Sequence, residues 1–302
     1  MKHSTEEVDF RRELAHLSWQ SEPLNISTAV AADSFDEHAF AAGHGRSSGV
    51  PRSREQSFAH YGVTRAEVAR WLGSQAFVLD QPAGRVSLLE VWTGKALLAT
   101  TAEKAGGLSV RIGYDWGHDL DRPLDRRCLL ALAWYLAPKH IWCSWSCRHL
   151  GPWSRYNETL SEELRAYIHQ GRQKADADLR LFGDLWEMQW LRGLHCHGEN
   201  PKSSLAWRHP VFRRLARMGL RWATWDQCAT GLRHPDPQDG RPHKKPTSVA
   251  TTSEGLVRAL SPRICRCTVA HAHLGGSYLN IPLTRYAESY NLELCRLISR
   301  PC

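Results

Sequence analysis

The chain has 302 residues, 42% of them hydrophobic and 23% charged, a globular composition that is long enough for one large α/β domain or two small ones. The net charge of +8 favours a polyanionic partner, and no apolar run approaches the roughly 18 residues of a membrane span. The charged N-terminus does not resemble a secretory signal. The nine cysteines are therefore expected to be mostly reduced, in the nucleus or cytoplasm.

Two regions are predicted along the chain. Residues 1–80 are interpreted as a partly disordered N-terminal extension, because residues 44–57 are rich in Gly, Ser, Arg and Pro. Within it, residues 64–72 are predicted to form a helix capped by Thr64, with Glu67 three residues later. Residues 81–302 are predicted to form one α/β domain.

Strand and helix patterns alternate from residue 85 onward. Strands are predicted over residues 85–92, 108–115, 140–145, 193–201 and 220–228. Helices are predicted over residues 95–107, 128–138, 160–192 (in two pieces) and 211–219. This alternation predicts a Rossmann-like, mostly parallel sheet with helices on both faces. Ligands are then expected beyond the carboxyl ends of the strands.

The first predicted strand runs into a glycine turn, in the stretch Glu90-Val91-Trp92-Thr93-Gly94. A glycine turn that leads into a helix brings backbone N–H groups close to a bound cofactor. Asp115 ends the next strand, where its carboxylate could accept two ribose hydroxyls. A purely structural turn is the alternative.

The loop WCSWSCRHLGPWS (142–154) follows the third strand and concentrates chemically active side chains. Cys147 is a candidate nucleophile, since a thiolate is a strong soft nucleophile. A buried inert thiol is one alternative, and a metal site built from Cys143, Cys147 and His149 is another. The tryptophans suggest a surface that stacks on flat ligands.

The fourth strand ends in Gly198-Glu199-Asn200-Pro201. An Asn-Pro pair often marks only a turn. His195 and His197 share one face of this strand, and the sequence favours a packed pair of histidines over a metal site.

Taken together, these motifs resemble the class I S-adenosylmethionine-dependent DNA (cytosine-5) methyltransferases. Glu90–Gly94, followed by Glu103-Lys104-Ala105-Gly106, is similar to the first motif of that family, although Ala96 and Leu97 stand where the family has further glycines. The later stretch resembles the divergent methyltransferase-like domains of retroelement polyproteins. It consists of Asp226-Gln227-Cys228, a glycine, Lys244-Lys245-Pro246-Thr247, then cysteines and a His-x-His.

The resemblance implies S-adenosylmethionine as cofactor and DNA, or alternatively RNA, as partner. It implies that Glu90, Trp92, Thr93, Gly94 and Asp115 bind the cofactor. Cys147 would attack the cytosine ring, with Glu199 and Asn200 holding the base. Contacts to the nucleic acid are expected from a further set of residues: Arg148, Ser154, Arg155, Lys244 and Lys245.

A second cluster of possible metal ligands lies near the end of the chain. Cys265, Cys267, His271 and His273 could bind zinc tetrahedrally, although their spacing is less usual than that of standard sites. Two other functions therefore stay open: a non-catalytic nucleic-acid-binding or assembly domain of a mobile-element polyprotein, and a zinc-stabilised binding module. The sequence does not indicate an oligomeric state.

Overall fold

A six-stranded sheet forms the centre of the structure, a computed structural model that describes residues 51, 53–272, 277–279 and 281–282. Its strands are β1 (Leu88–Val91), β2 (Ser109–Ile112), β3 (His140–Cys143), β4 (His195–Pro201), β5 (Arg221–Asp226) and β6 (Pro246–Thr251). Their order is β2-β1-β3-β4-β6-β5. Only β6 runs antiparallel to its neighbours, so the prediction of a mostly parallel sheet is confirmed.

Helices cover both faces of this sheet, as the sequence predicts. They are α1 (Ser57–His60), α2 (Arg65–Leu72), α3 (Leu97–Lys104), α4 (Pro123–Leu136), α5 (Pro152–Asn157), α6 (Glu162–Trp190), α7 (Pro210–Ala216) and α8 (Glu254–Leu260). The larger core packs α2, α4, α6 and α7 against one face. The smaller core packs α3 and α8 against the other face, around Trp142 and Trp225.

Part of the predicted N-terminal extension belongs to the main core. Thr64 caps α2 in the predicted capping box, in which its side chain accepts from the Glu67 amide at 3.1 Å and its own amide donates to the Glu67 carboxylate at 2.7 Å. Val68 and Leu72 are buried in the larger core. The described residues between 53 and 80 therefore contribute to the same core as the α/β domain predicted from residue 81 onward. The disorder predicted for residues 1–50 lies outside the described residues.

Helix α6 is one continuous helix of 29 residues, so the prediction of two pieces is wrong. Gly171, near its middle, is not a break. A Cβ atom there would lie 2.2 Å from the His149 ring, so the glycine lets the loop after β3 pack directly onto the helix. Within the described residues, no helix is both long and apolar enough to cross a membrane.

The strand directions bring the chemically interesting loops to one edge of the sheet. Because β1 to β5 are parallel and β6 is reversed, the carboxyl ends of the first five strands meet the start of β6 there. In the sheet, β2 lies on one side of β1 and β3 lies on the other side, so the strand order reverses at β1. Ligands of open α/β sheets bind in the crevice at such a switch in strand order.

Candidate functional site

Two turns touch at this crevice, the one after β1 and the one after β2. A Cβ atom on Gly113 would lie 2.1 Å from the Thr93 carbonyl oxygen, so only glycine permits the contact. A Cβ atom on Gly94 would lie 3.9 Å from a carboxylate oxygen of Asp115, and the Trp116 indole N–H donates to the Gly94 carbonyl at 2.9 Å. The structure therefore brings together the predicted residues Gly94 and Asp115, and adds Gly113, which the sequence analysis missed.

Glu90 and Thr93 hold the first turn from inside. The buried Glu90 carboxylate accepts a hydrogen bond from the Thr93 hydroxyl at 2.9 Å and another from the Ala99 amide in α3 at 2.8 Å. Burial raises the pKa of Glu90, although these hydrogen bonds oppose the rise. Both residues were predicted to contact the cofactor directly. In the structure they position the turn, and their contact with a cofactor stays a prediction.

Trp92 adopts a left-handed backbone conformation with φ of 57°, which is uncommon for a residue with a side chain. Such strain often occurs at functional sites. Its ring meets the Trp145 ring edge-on, with 6.4 Å between the ring centres.

A partly buried carboxylate of α6, that of Asp178, interacts with the Trp92 side chain of the first turn. Burial raises the pKa of Asp178 to about 7, while the positive charge of Arg126, 3.3 Å away, and the Trp92 side chain lower it. A cleft carboxylate with a pKa near neutrality is a candidate functional group. The sequence analysis missed Asp178 because its helical pattern gives no sign of its neighbours.

The tryptophans of the loop after β3 divide into buried and exposed residues. Trp142 and Trp145 are buried in the two cores, whereas Trp153 is 54% exposed. Only Trp153 among these three therefore offers the stacking surface that the sequence suggested. It lies in the first turn of α5.

The cysteines of the same loop differ in the same way. Cys143 is fully buried, and burial together with the neighbouring Cys196 thiol raises its pKa well above the usual value. It is therefore inert, while Cys147 is only partly buried. His149 packs against α6, and its ring contacts Tyr167. Among the described residues, Cys143, Cys147 and His149 do not gather around a possible metal position.

The loop that carries Cys147 leaves β3 next to the end of β4. Cys143, the last residue of β3, pairs with Gly198, so Glu199 and Asn200 extend beyond β3. The Asn200 side-chain amide donates to the Trp145 carbonyl at 2.9 Å, which ties the loop to β4. Asn200 thus positions the loop. Because side chains alternate along a strand, the buried Glu199 side chain lies on the face of the sheet opposite Asn200, the face that also carries His197.

Three histidines stack on the face of the sheet that also carries Glu199. His140 of β3 lies between His195 and His197 of β4, with ring centres 5.1 and 5.3 Å apart. His140 Nδ1 and His197 Nε2 are 3.0 Å apart, and His197 Nδ1 lies 2.7 Å from the Thr251 hydroxyl. The packed pair predicted from the sequence is thus part of a group of three. Burial lowers the pKa of His140 to about 4 and that of His197 well below its usual value.

The basic residues predicted to contact nucleic acid are mostly accessible. Arg148, Arg155 and Lys244 are exposed, and Lys245 is partly buried. Ser154 is buried, and its hydroxyl donates to the Gly151 carbonyl at 2.6 Å at the start of α5. It therefore stabilises the start of the helix.

The predicted zinc ligands are brought together only in part. Cys265, Cys267 and His271 lie close together, and His273 lies outside the described residues. The fourth ligand-type side chain at this position is Cys228, which the sequence analysis did not assign to the cluster.

A comparison of the chain with protein-family models gives no match, and a comparison with curated proteins gives none either.

Proposed function

We propose that the described domain is a divergent class I methyltransferase-like domain that binds S-adenosylmethionine at the turns after β1 and β2. The observation that supports this most strongly is the contact between these turns at Gly113, which brings the Asp115 carboxylate beside Gly94 at the switch in strand order. The carboxylate would accept the ribose hydroxyls, and the Trp92 ring would pack against the adenosine. Ala96, with φ of 51°, supplies the left-handed turn into α3 without a further glycine.

The proposed substrate is cytosine in DNA, flipped out of the base stack. S-adenosylmethionine supplies an electrophilic methyl group when it is bound. The Cys147 thiolate would form a bond to C6 of the ring, which makes C5 nucleophilic. C5 would take the methyl group as the methyl carbon–sulfur bond of the donor breaks, with S-adenosylhomocysteine as the leaving group. Loss of the C5 proton to solvent would then re-form the C5–C6 double bond and expel the Cys147 thiolate.

Exposed aromatic and basic side chains at this edge support a nucleic-acid partner. Tyr114 is 82% exposed in the turn after β2, and Trp153 is exposed in α5 together with Arg155. Aromatic rings stack on bases of any sequence, and arginines contact the phosphates. Binding should therefore weaken steeply as the salt concentration rises.

The first test of this proposal is a calorimetric titration of the full chain with S-adenosylmethionine. We expect micromolar affinity, and we expect Asp115→Asn to weaken it about 10- to 100-fold, because a hydrogen bond to a charged group is worth about 1.5–3 kcal/mol. The control is Asp80→Asn, which changes an exposed aspartate at the end of a different turn. Absence of binding to the wild-type chain would refute the proposal.

The second test separates the chemistry from cofactor binding. We expect Cys147→Ser to abolish transfer of labelled methyl groups to cytosine-containing DNA, while its affinity for S-adenosylmethionine stays within about twofold of wild type. Cys128→Ala should retain transfer, because burial raises the pKa of that thiol to about 11. Transfer by Cys147→Ser at the wild-type rate would mean that the nucleophile lies elsewhere.

One observation favours a second function, a non-catalytic nucleic-acid-binding domain. Trp92 and Ala96 occupy left-handed positions in the first turn, where glycine would be unstrained and would leave more room for a ligand. This alternative predicts salt-dependent DNA or RNA binding without any affinity for S-adenosylmethionine. The titration therefore distinguishes the two functions.

A further inference from the structure

Four metal-ligating side chains converge at the end of β5. Cys228 lies in the short 3-10 turn Gln227–Thr230 that directly follows the strand. Cys265, Cys267 and His271 come from the segment after α8. The ligand atoms of all four lie within 4.8 Å of one another, and Cys265 Sγ is 3.3 Å from His271 Nε2.

We propose that these four residues form a structural zinc site. Zinc bonds of about 2.0–2.3 Å to nitrogen and sulfur place the ligands of a tetrahedral ion about 3.3–3.8 Å apart, so the observed cluster needs only a small contraction. Three thiolates and one imidazole match the ligand preference of zinc. Because all four positions are filled by protein, no position is left for water or substrate. The site therefore stabilises the fold and does not catalyse a reaction.

The segment that carries three of the ligands has little apolar packing. Residues 261–272 contain no regular helix or strand, and the apolar side chains of Ile264 and Val269 are 51% and 57% exposed. Ala272 is the buried apolar residue of this stretch. Apolar burial therefore contributes little to the position of the segment, whereas a bound ion would fix it at three points.

Hydrogen bonds prepare both ends of this segment. At its start, the Cys265 amide donates to the Asp226 carboxylate at 2.9 Å, and the Asp226 amide donates to the Arg263 carbonyl at 2.9 Å. At its end, the Ala272 amide donates to the Pro242 carbonyl at 2.9 Å, and His243 Nδ1 lies 3.0 Å from the Ala272 carbonyl. The cluster lies between these two anchor points, so the ligands are largely pre-positioned for an ion.

The zinc site would also help to fix the position of the two lysines that precede β6, Lys244 and Lys245. The Gln227 amide, next to Cys228, donates to the Lys245 carbonyl at 3.1 Å. Lys244 and Lys245 precede β6, at the same edge of the sheet as the crevice. An ion at Cys228 therefore connects the 261–272 segment to the residues proposed to meet phosphates. The zinc proposal itself does not depend on methyl transfer.

The test is the metal content of the full chain purified under reducing conditions without chelators. We expect one zinc per chain, and we expect cobalt substitution to give the intense visible bands of a tetrahedral thiolate site. Cys228→Ser should lower the zinc content severalfold and weaken those bands. Cys147→Ser is the matched control, because Cys147 is partly buried like Cys265 and Cys267 but lies outside the cluster.

A second pair of variants tests the histidine ligand. His271→Ala should lose zinc, whereas His273→Ala should keep it; the opposite result would overturn the proposed ligand set. A wild-type chain that contains no zinc and gives no cobalt–thiolate bands would overturn the proposal, even if the variants fail to fold. A disulfide among Cys228, Cys265 and Cys267 that persists in the wild-type chain purified under these reducing conditions would overturn it as well.

Discussion

Replacing Gly113 with alanine is expected to lower the free energy of unfolding by about 3 kcal/mol, since overpacking that forces backbone shifts typically costs about 1–3 kcal/mol. The new methyl group would lie 2.1 Å from the Thr93 carbonyl oxygen, so the two turns would have to separate. Urea denaturation measures this change. The same variant should lose affinity for S-adenosylmethionine, because Asp115 would move away from Gly94.

Gly94→Ala is the matched control for this prediction. It lies in the turn that Gly113 touches, but the nearest atom to its new methyl group is a carboxylate oxygen at 3.9 Å, an ordinary contact distance. We expect its stability to change by less than about 0.5 kcal/mol, while its cofactor affinity falls because the methyl group enters the proposed binding space. Equal stabilities of Gly113→Ala and Gly94→Ala would contradict the close contact.

Mild acid is expected to destabilise the domain through the stacked histidines. Burial lowers the pKa of His140 to about 4, so the folded state holds a neutral ring while the unfolded chain takes up a proton near pH 6.5. The contribution of His140 to the free energy of unfolding is therefore complete above about pH 6.5 and is lost as the pH falls toward 4. For His140 alone the loss between pH 7.5 and 5 is about 2 kcal/mol.

Urea denaturation at pH 7.5 and 5 measures this effect. His140→Gln should reduce the loss of stability between the two pH values by about 2 kcal/mol, because glutamine does not titrate. His60→Gln changes an exposed histidine of α1 and should leave the pH dependence as in wild type. A His140→Gln variant with the full wild-type acid sensitivity would show that other groups control it.

The sequence predicts the parallel part of the sheet because its strands are short apolar runs between helical patterns. Strand β6 was not predicted, since Thr247, Ser248 and Thr251 give it a polar sequence. These residues are buried because β6 pairs on both sides, with β4 and β5. The sequence pattern of α6 also does not reveal that Gly171 packs against His149 in one continuous helix.

The candidate site could be predicted where it depends on strand ends and not where it depends on distant contacts. Gly94 and Asp115 follow adjacent parallel strands, and the carboxyl ends of such strands always share one edge. Asp178 interacts with Trp92 from the middle of α6, and Cys228 meets Cys265 only through the folded path of the chain. No local pattern identifies either residue. The sequence also does not predict the hydrogen bonds that the Glu90 and Ser154 side chains form.

Hydrogen exchange measured with and without S-adenosylhomocysteine tests the central claim most directly. At a ligand concentration about 100 times Kd, binding can slow exchange by up to about 100-fold where the opening of the chain is blocked. We predict that the protected amides lie in residues 92–97 and 113–116, the two touching turns. Unchanged exchange in both turns, whether the ligand binds elsewhere or not at all, would contradict the proposed cofactor site.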